Sequence, residues 1–353
     1  MPVQEQDYAL VIGFNHYPRY GKNGRSLRGA IQDAKEFSKW LTDKNIGGGL
    51  PDENCKLIVS SVSTVNPPQP RKDRIDDCLE EIWTQAQKTG ARRFYFYFSG
   101  HGQTQVDQDV FLCLPTWARN REAAALSIRK YQQVISQCIP FQEIVIFMDC
   151  CRSLKVGARG QESELSCPLP HAAAGLTAVF VGHATEFQAQ SFESAIAGEG
   201  DDEDNEPIVR GHFSEALMAA LRGAAARETG GVPASSLVKY LRKVVPRIAR
   251  RHRHEQRPRF EPFDIPEGDP AEPIFGAALP IKTVDVKFSF KASRSGEILL
   301  EGPELQQIRV SDAATGPWEE TLEPGTYMLT EKSTGEFMSV HLNPTEGEFN
   351  VEF

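Results

Sequence analysis

The chain has 353 residues, of which 40% are hydrophobic and 25% are charged, and its formal net charge is −9. This length and composition predict a globular protein with one large domain and a smaller one. The acidic balance argues against general nucleic-acid binding, and the lack of an apolar stretch of about 20 residues argues against a membrane-spanning segment. We therefore expect neither a nucleic acid nor a membrane as a partner.

Strand and helix patterns alternate over the first two thirds of the chain. Apolar runs predict strands at residues 8–13, 55–60, 93–98, 143–148 and 177–182. Apolar residues at helical spacing predict helices at residues 27–41, 71–88, 127–137, 213–221 and 235–248. Alternation of this kind predicts an α/β fold with a mainly parallel sheet flanked by helices.

Three polar segments are predicted to lie at the surface. Residues 154–174 are predicted to form a mobile linker. The acidic run at residues 201–204 is predicted to form a solvated loop, or else to attract basic substrates electrostatically. Residues 247–259 are rich in arginine and are predicted to form a solvated loop or helix end, or else to dock on an acidic partner.

The pattern changes near residue 280. Short alternating strands are predicted at residues 284–290, 297–300, 307–310, 327–330, 338–342 and 349–353. They predict a small all-β domain, similar to a sandwich, over residues 281–353, after a larger domain over residues 1–280. Because these residues contain no catalytic pattern, we expect a module through which a regulatory protein partner could bind.

Cysteine usage favours a reducing compartment. None of the seven cysteines forms a Cys-x-x-Cys pair or a spacing typical of a disulfide framework. Unpaired thiols in odd number suit the cytoplasm, and residues 1–7 lack the pattern of a signal peptide. We therefore expect a cytoplasmic protein.

A histidine and a cysteine follow two of the predicted strands. His101 stands in the segment Phe-Ser-Gly-His-Gly, and Cys151 in the segment Asp-Cys-Cys-Arg-Ser. Both segments are expected at the carboxyl edge of the sheet, where ligands bind in such folds. A thiolate is a nucleophile and histidine can take its proton. The backbone N–H groups of Gly102 and Cys151 could hold an oxyanion, but the pattern does not distinguish Cys150 from Cys151 as the nucleophile.

Four segments together resemble the clan of caspases, metacaspases and their bacterial relatives over roughly residues 5–250. They are residues 27–34 (LRGAIQDA), 99–102 (SGHG), 149–153 (DCCRS) and 211–217 (GHFSEAL). The resemblance implies a caspase-like fold, with a large-subunit-like half at residues 1–155 and a small-subunit-like half at residues 175–280. It also implies a cysteine endopeptidase, with His101 as base and Cys151 as nucleophile, because the family cysteine stands two residues after the aspartate.

Substrate preference and regulation are further implications of the resemblance. In metacaspases, acidic residues bind an Arg or Lys before the scissile bond, and Asp33 and Asp149 match those acids. The alternatives are that Asp33 is a helix-surface acid and that Asp149 caps the turn after its strand. Relatives cleave themselves after the cysteine, so Arg159 is a candidate site of self-cleavage in a zymogen. A catalytically silent scaffold is the alternative to a peptidase, although intact His101, Gly102 and Cys151 argue against it.

The chain departs from the metacaspase pattern at Arg152, where metacaspases have histidine. Arg152 could hold the thiolate or form an outward salt bridge. Asp107 and Asp109 are too few for a calcium site, and the spacing of His183 and His212 matches no standard zinc motif. We therefore expect no obligatory metal or other cofactor.

Overall fold

The structure is a computed structural model. It describes residues 4–20, 26–60, 66–105, 109–118, 120–121, 123–155, 159–165, 177–195, 208–262, 272–280, 283–302, 306–323, 325–342 and 348–353. The acidic run at 201–204 and Asp107 lie outside these residues.

The elements up to residue 280 follow the predicted alternation, with several additional short strands. The helices are α1 (Ala30–Thr42), α2 (Lys72–Thr89), α3 (Ile128–Cys138), α4 (His212–Ala219, continued by a π-helical turn at Ala220–Ala224) and α5 (Ala234–Arg251). The strands are β1 (Asp7–Gly13), β2 (Cys55–Val59), β3 (Arg93–Ser99), β4 (Gly102–Thr104), β5 (Val110–Cys113), β6 (Ala125–Ser127), β7 (Glu143–Asp149), β8 (Ser153–Leu154), β9 (Ala178–His183), β10 (Glu193–Ala195), β11 (Val209–Gly211), β12 (Val232–Pro233), β13 (Arg259–Glu261) and β14 (Ile274–Phe275). No helix in these described segments is long and apolar enough to cross a bilayer.

A six-stranded sheet in the order β13-β9-β7-β3-β1-β2 forms the centre of this part. All neighbours in it are parallel except β13, which runs antiparallel to β9. Side chains of α2 and α3 pack in the core on one face, and side chains of α1, α4 and α5 in the core on the other. The predicted α/β class, with a mainly parallel sheet flanked by helices, is confirmed.

Strand β3 shows why this sheet is covered on both faces. All seven of its residues are buried. Because successive side chains point to opposite faces of a strand, Phe94, Phe96 and Phe98 enter the core with α2 and α3. Tyr95 and Tyr97 enter the core with α1, α4 and α5.

Two parts of this unit differ from the prediction. A second sheet in the order β6-β5-β4-β8 lies beyond the carboxyl ends of β3 and β7, and only its apolar piece near Val110 was predicted. The basic stretch is not a loop throughout, because Arg259–Glu261 forms β13, which Phe260 anchors by complete burial. Residues 247–251 of the basic stretch form the end of α5, which was one of the predicted alternatives, and Arg259, its last residue, is exposed.

The C-terminal part consists of two antiparallel-rich sheets around a core of their own. The strands are β15 (Val284–Ser289), β16 (Glu297–Glu301), β17 (Gln307–Asp312), β18 (Trp318–Leu322), β19 (Gly325–Glu331), β20 (Phe337–Leu342) and β21 (Glu348–Glu352). They form a three-stranded sheet, β18-β15-β21, and a four-stranded sheet, β17-β16-β19-β20. Their buried side chains form one cluster, as expected for a small sandwich-like β domain. Strand β18 was not predicted.

The C-terminal part contacts the end of α5. The Arg251 guanidinium donates through Nη2 to the carbonyl oxygen of Gly302 at 2.6 Å. The ring of His252, directly after the helix, lies 6.3 Å from that of Phe337 in β20. These contacts join the β domain to a helix that packs beside α4.

Candidate active site

Strand register places His101 opposite Cys151. In the main sheet, Ser99 at the end of β3 is paired with Asp149 at the end of β7. In the second sheet, Gln103 of β4 is paired with Ser153 of β8, which is the same offset of 50 residues. Residues 101 and 151 occupy the short connections between these two pairings. Backbone hydrogen bonds before and after residues 101 and 151 therefore hold these two residues side by side.

The two adjacent cysteines have different surroundings. Cys150 is 2% exposed, and burial raises the pKa of its thiol well above the ordinary value. Cys151 is half-buried and lines a cavity of about 340 Å³. Its Sγ accepts a hydrogen bond from the Ser191 N–H at 3.4 Å. Geometry thus places Cys151, rather than Cys150, where a substrate could reach it.

Gly102 lies against both cysteines. A Cβ atom at this position would lie 2.5 Å from the Cys150 Sγ and 2.6 Å from the Cys151 carbonyl oxygen. Only glycine lets the backbones of residues 102 and 151 approach this closely. His101, Gly102 and Cys151 line the same cavity.

Asp149 is buried beside Cys151 and accepts three hydrogen bonds. The Ser191 hydroxyl donates to its Oδ1 at 2.6 Å, and Ser214 donates to its Oδ2 through its hydroxyl at 2.6 Å and its backbone N–H at 3.0 Å. Burial raises the pKa of this carboxyl, and the hydrogen bonds oppose the shift. Asp149 thus caps the first turn of α4, rather than the turn after its own strand.

Asp33 is buried on the same side of the cavity. Its carboxylate accepts from Arg210 Nε at 2.5 Å and from the Gly211 N–H at 3.0 Å. With 1% of its surface exposed, Asp33 is not the helix-surface acid that the sequence allowed. Burial raises the pKa of Asp33 to about 7, although Arg210 acts in the opposite direction.

Glu193 is a third carboxylate on the cavity wall that sequence reasoning missed. It stands on β10 and accepts from the backbone N–H groups of Arg28 and Gly29, the shortest at 2.9 Å. These groups belong to the start of α1, where a carboxylate also interacts favourably with the helix dipole. Neither Glu193 nor Arg210 shows a periodicity or spacing by which the sequence could have identified it.

Arg152 faces the interior. It is 1% exposed, and its Nε and Nη1 have no hydrogen-bond partner among the described residues. Burial lowers the pKa of its guanidinium. The predicted outward salt bridge is therefore wrong, and Arg152 does not line the cavity where it could contact the Cys151 thiolate.

Arg159 is exposed, but the residues after it are held in place. A Cβ atom at Gly160 would lie 2.5 Å from the backbone nitrogen of Ser127. Gln161 donates to the Ala125 carbonyl oxygen at 2.7 Å and accepts from the Ser127 N–H at 2.9 Å. Cleavage after Arg159 would require this segment to detach from β6.

Asp109, His183 and His212, which the sequence analysis considered as metal ligands, each bind another side chain. Asp109 caps α3, accepting from the Ser127 hydroxyl and from the Arg129 N–H at 3.1 Å. The Nε2 atom of His183 lies 3.4 Å from Oε1 of Glu261. The Nε2 atom of His212 forms a hydrogen bond of 2.7 Å with the Ser194 hydroxyl. Within the described ranges, no group of three or more His, Cys, Asp or Glu side chains could hold a metal ion.

Three comparisons relate this chain to known proteins. A family profile described as the caspase domain of peptidase family C14 matches residues 6–265. A curated probable protease from a Desulfuromonadales bacterium is 30% identical over 228 residues, which cover 62% of this chain and 26% of that protein. This chain therefore spans about a quarter of the length of that relative.

Among solved structures, caspase-1 from Spodoptera frugiperda is 14% identical, with a TM-score of 0.43, over 73% of this chain and 89% of that one. The family match extends from β1 to a point beyond β13, and so includes both strands that lead to His101 and Cys151. The chain belongs to the caspase-domain family of cysteine peptidases.

Proposed function

We propose that the protein is a cysteine endopeptidase that cleaves after Arg or Lys, with His101 as general base and Cys151 as nucleophile. The observation that carries this proposal is one cavity that contains the His101 and Cys151 side chains together with three carboxylates. A nucleophile, a base and a site for a positively charged side chain are the parts that such a reaction needs.

The reaction would proceed through an acyl-enzyme. His101 takes the proton of the Cys151 thiol, and the thiolate attacks the carbonyl carbon of the substrate. The N–H groups of Gly102 and Cys151 stabilise the oxyanion that forms. His101 then gives its proton to the leaving amine, and water hydrolyses the thioester to release the acid and restore the thiol.

Charge supports a preference for basic residues. Asp33, Asp149 and Glu193 line the cavity, and Arg210 is the cation paired with Asp33. An Arg or Lys side chain of the substrate would form charge-assisted hydrogen bonds with these carboxylates. A substrate Asp would meet like charges, which is unfavourable in a site of low dielectric constant.

We also propose that the protein is made as a cytoplasmic zymogen. Cys55, Cys78, Cys113 and Cys150 are thiols rather than disulfides, which supports a reducing compartment. Arg159 is the proposed site of self-cleavage, and the exposed position of its side chain supports this. Residues 281–353 are proposed to bind a regulatory protein partner.

Peptide hydrolysis tests the proposal. Purified protein, the Cys151→Ala variant and the matched Cys150→Ala variant would be incubated with fluorogenic peptides ending in Arg, Lys or Asp. We expect the unsubstituted protein and the Cys150→Ala variant to cleave the Arg and Lys peptides. The Cys151→Ala variant should cleave neither. Cleavage after Asp would contradict the assignment of the carboxylates, and a lack of turnover before and after limited proteolysis would favour a binding protein without catalytic activity.

A further inference from the structure

Two tyrosine rings pack against the His101 imidazole from different directions. The Tyr20 ring is stacked on it, with centroids 4.5 Å apart and planes inclined by 24°. The plane of the Tyr17 ring is inclined by 55° to that of the imidazole, and the two centroids are 4.7 Å apart. Trp117 in turn packs on Tyr20, with centroids 4.5 Å apart. Tyr20 therefore lies between the imidazole and a buried indole ring, which restricts its own movement.

The Tyr17 hydroxyl also fixes the backbone of His101. It accepts a hydrogen bond from the His101 N–H at 3.0 Å and donates one to the Cys113 carbonyl oxygen at 3.3 Å. The Cys113 N–H donates to the His101 carbonyl oxygen at 2.9 Å. A Cβ atom at Gly100 would lie 2.5 Å from the Tyr17 hydroxyl, so this arrangement needs glycine there. These contacts join the loop after β1 to the end of β5 through His101.

We propose that Tyr17 and Tyr20 are positioning residues for the general base, with Tyr20 stabilising the protonated imidazole through its ring face and Tyr17 fixing the backbone beneath it. This inference rests on the proposed function, in which His101 accepts the proton of Cys151. It assigns to two residues of the loop after β1 a part in the proton transfer, although neither is the acid, the base or the nucleophile.

The physical reason lies in the charge that develops on His101. When the imidazole takes the thiol proton it becomes a cation, and the face of an aromatic ring within about 6 Å attracts a cation. Tyr20 lies within this distance and is half-buried, on the wall of the cavity. It therefore favours the pair of thiolate and imidazolium over the neutral pair. A ring without a hydroxyl would act in the same way, whereas an aliphatic side chain of similar size would not.

The first test compares variants of the two tyrosines in the pH profile of kcat/KM for an Arg peptide. In Tyr20→Leu we expect the alkaline limb, where the imidazolium loses its proton, to move down by about half a pH unit. Tyr20→Phe should keep the limb of the unsubstituted protein. Tyr17→Phe should lower kcat by about tenfold and leave the limb in place, because it retains the ring and loses only the hydroxyl. An unmoved limb in Tyr20→Leu, or the same displacement in Tyr20→Phe, would overturn the proposal.

The second test does not require catalysis. The imidazole of His101 is titrated by NMR in Cys151→Ala and in Cys151→Ala with Tyr20→Leu, and His101→Gln identifies its signal. We expect a lower titration midpoint when Tyr20 is replaced, and equal midpoints in well-folded variants would overturn the proposal. A lower midpoint, combined with a lack of peptide cleavage by the protein that retains Cys151, would support the ring effect and overturn the proposed function, so the two failures are distinguishable.

Discussion

Gly211 lies between two buried carboxylates, and its lack of a side chain is what brings them together. A Cβ atom there would lie 2.2 Å from Asp149 Oδ2 and 3.1 Å from Asp33 Oδ2. Carboxylates that share a small volume disfavour each other's ionisation. The raised pKa of Asp33 has this cause as well as burial. The affinity of the cavity for a basic side chain should therefore depend on pH near neutrality.

Replacement of Asp33 tests this dependence. Because the pKa of Asp33 is raised to about 7, the carboxylate form, which binds a cation, is gained as the pH rises through neutrality. We expect KM for an Arg peptide to fall between about pH 6 and about pH 8 in the unsubstituted protein. In Asp33→Asn the KM should be higher and nearly constant over this interval.

The control is a peptide with a neutral residue before the scissile bond. Its KM should not follow the titration of Asp33 in either the unsubstituted protein or the Asp33→Asn variant. Chemical unfolding would verify that the variant retains its fold, because Arg210 loses its buried partner. A KM that keeps the same pH dependence in Asp33→Asn would contradict the assignment of the titrating group.

The sequence predicted some of these residues and could not predict others. Asp33 and Asp149 were identified through the family resemblance. Arg210 contacts Asp33 across 177 positions, and the Ser191 hydroxyl contacts Asp149 across 42. Such contacts depend on how elements pack, and no propensity or spacing of the residues themselves records them.

At the scale of elements, the start of α4 is tied to the end of β7. Ser214 is the third residue of α4, and it donates both its N–H and its hydroxyl to Asp149. Gly211, the residue before the helix, has no side chain with which to cap it. A carboxylate from a neighbouring strand thus satisfies a donor that helices leave unpaired at their first turn.

Removal of the Ser214 hydroxyl should weaken this connection. The hydroxyl also bonds the Tyr97 hydroxyl at 2.6 Å, so Ser214→Ala leaves two buried polar groups with one partner fewer. We expect a loss of about 2 kcal/mol in the free energy of unfolding, measured by urea denaturation, together with a lower kcat/KM for Arg peptides. The matched control is Ser235→Ala in the first turn of α5, because the Ser235 hydroxyl has no partner among the described residues. Equal losses in the two variants would contradict this account.

Long elements were predictable and short ones were not. The strands β1, β3, β7 and β9 carry uninterrupted apolar runs, and α1 and α2 repeat apolar residues every three or four positions. The strands β4, β6 and β8 have two or three residues each, which is too few to show a period. They exist because they pair with one another and with β5, in a sheet separate from the main one.

At the scale of the whole molecule, His212 joins three parts of the chain. It is the first residue of α4, and its ring centroid lies 5.3 Å from that of His252 and 5.6 Å from that of His254, both beyond the end of α5. It also bonds the Ser194 hydroxyl on β10. Burial, with smaller contributions from His252 and His254, lowers the pKa of His212 to about 3.

The lowered pKa of His212 should make folding sensitive to acid. Between its folded pKa of about 3 and the ordinary 6.5, the unfolded chain binds a proton that the folded chain does not. The corresponding stability is complete above pH 6.5 and is lost as the pH falls towards 3, at up to about 1.4 kcal/mol per pH unit. The pKa values of Asp7 and Asp33 are raised, so these two residues contribute to the pH dependence of the free energy of unfolding with the opposite sign.

A comparison of variants isolates the contribution of His212. The loss in the free energy of unfolding between about pH 7 and about pH 5 should be smaller in His212→Asn than in the unsubstituted protein, by about 2 kcal/mol. Urea denaturation at several pH values measures it. His16→Asn is the control, because His16 lies in the loop after β1, away from this cluster. Parallel pH dependences in His212→Asn and the unsubstituted protein would contradict the prediction.

The double strand pairing around His101 and Cys151 has a consequence for how this protein can be altered. Since the relative position of the two residues is set by hydrogen bonds of β3 with β7 and of β4 with β8, it does not depend on the number of residues between Thr104 and Glu143. A foreign segment inserted in the connection between β5 and β6, on the β6 side of Trp117, should leave the two side chains aligned. This connection is therefore a suitable place to graft a ligand-binding module and to make cleavage depend on a chosen signal.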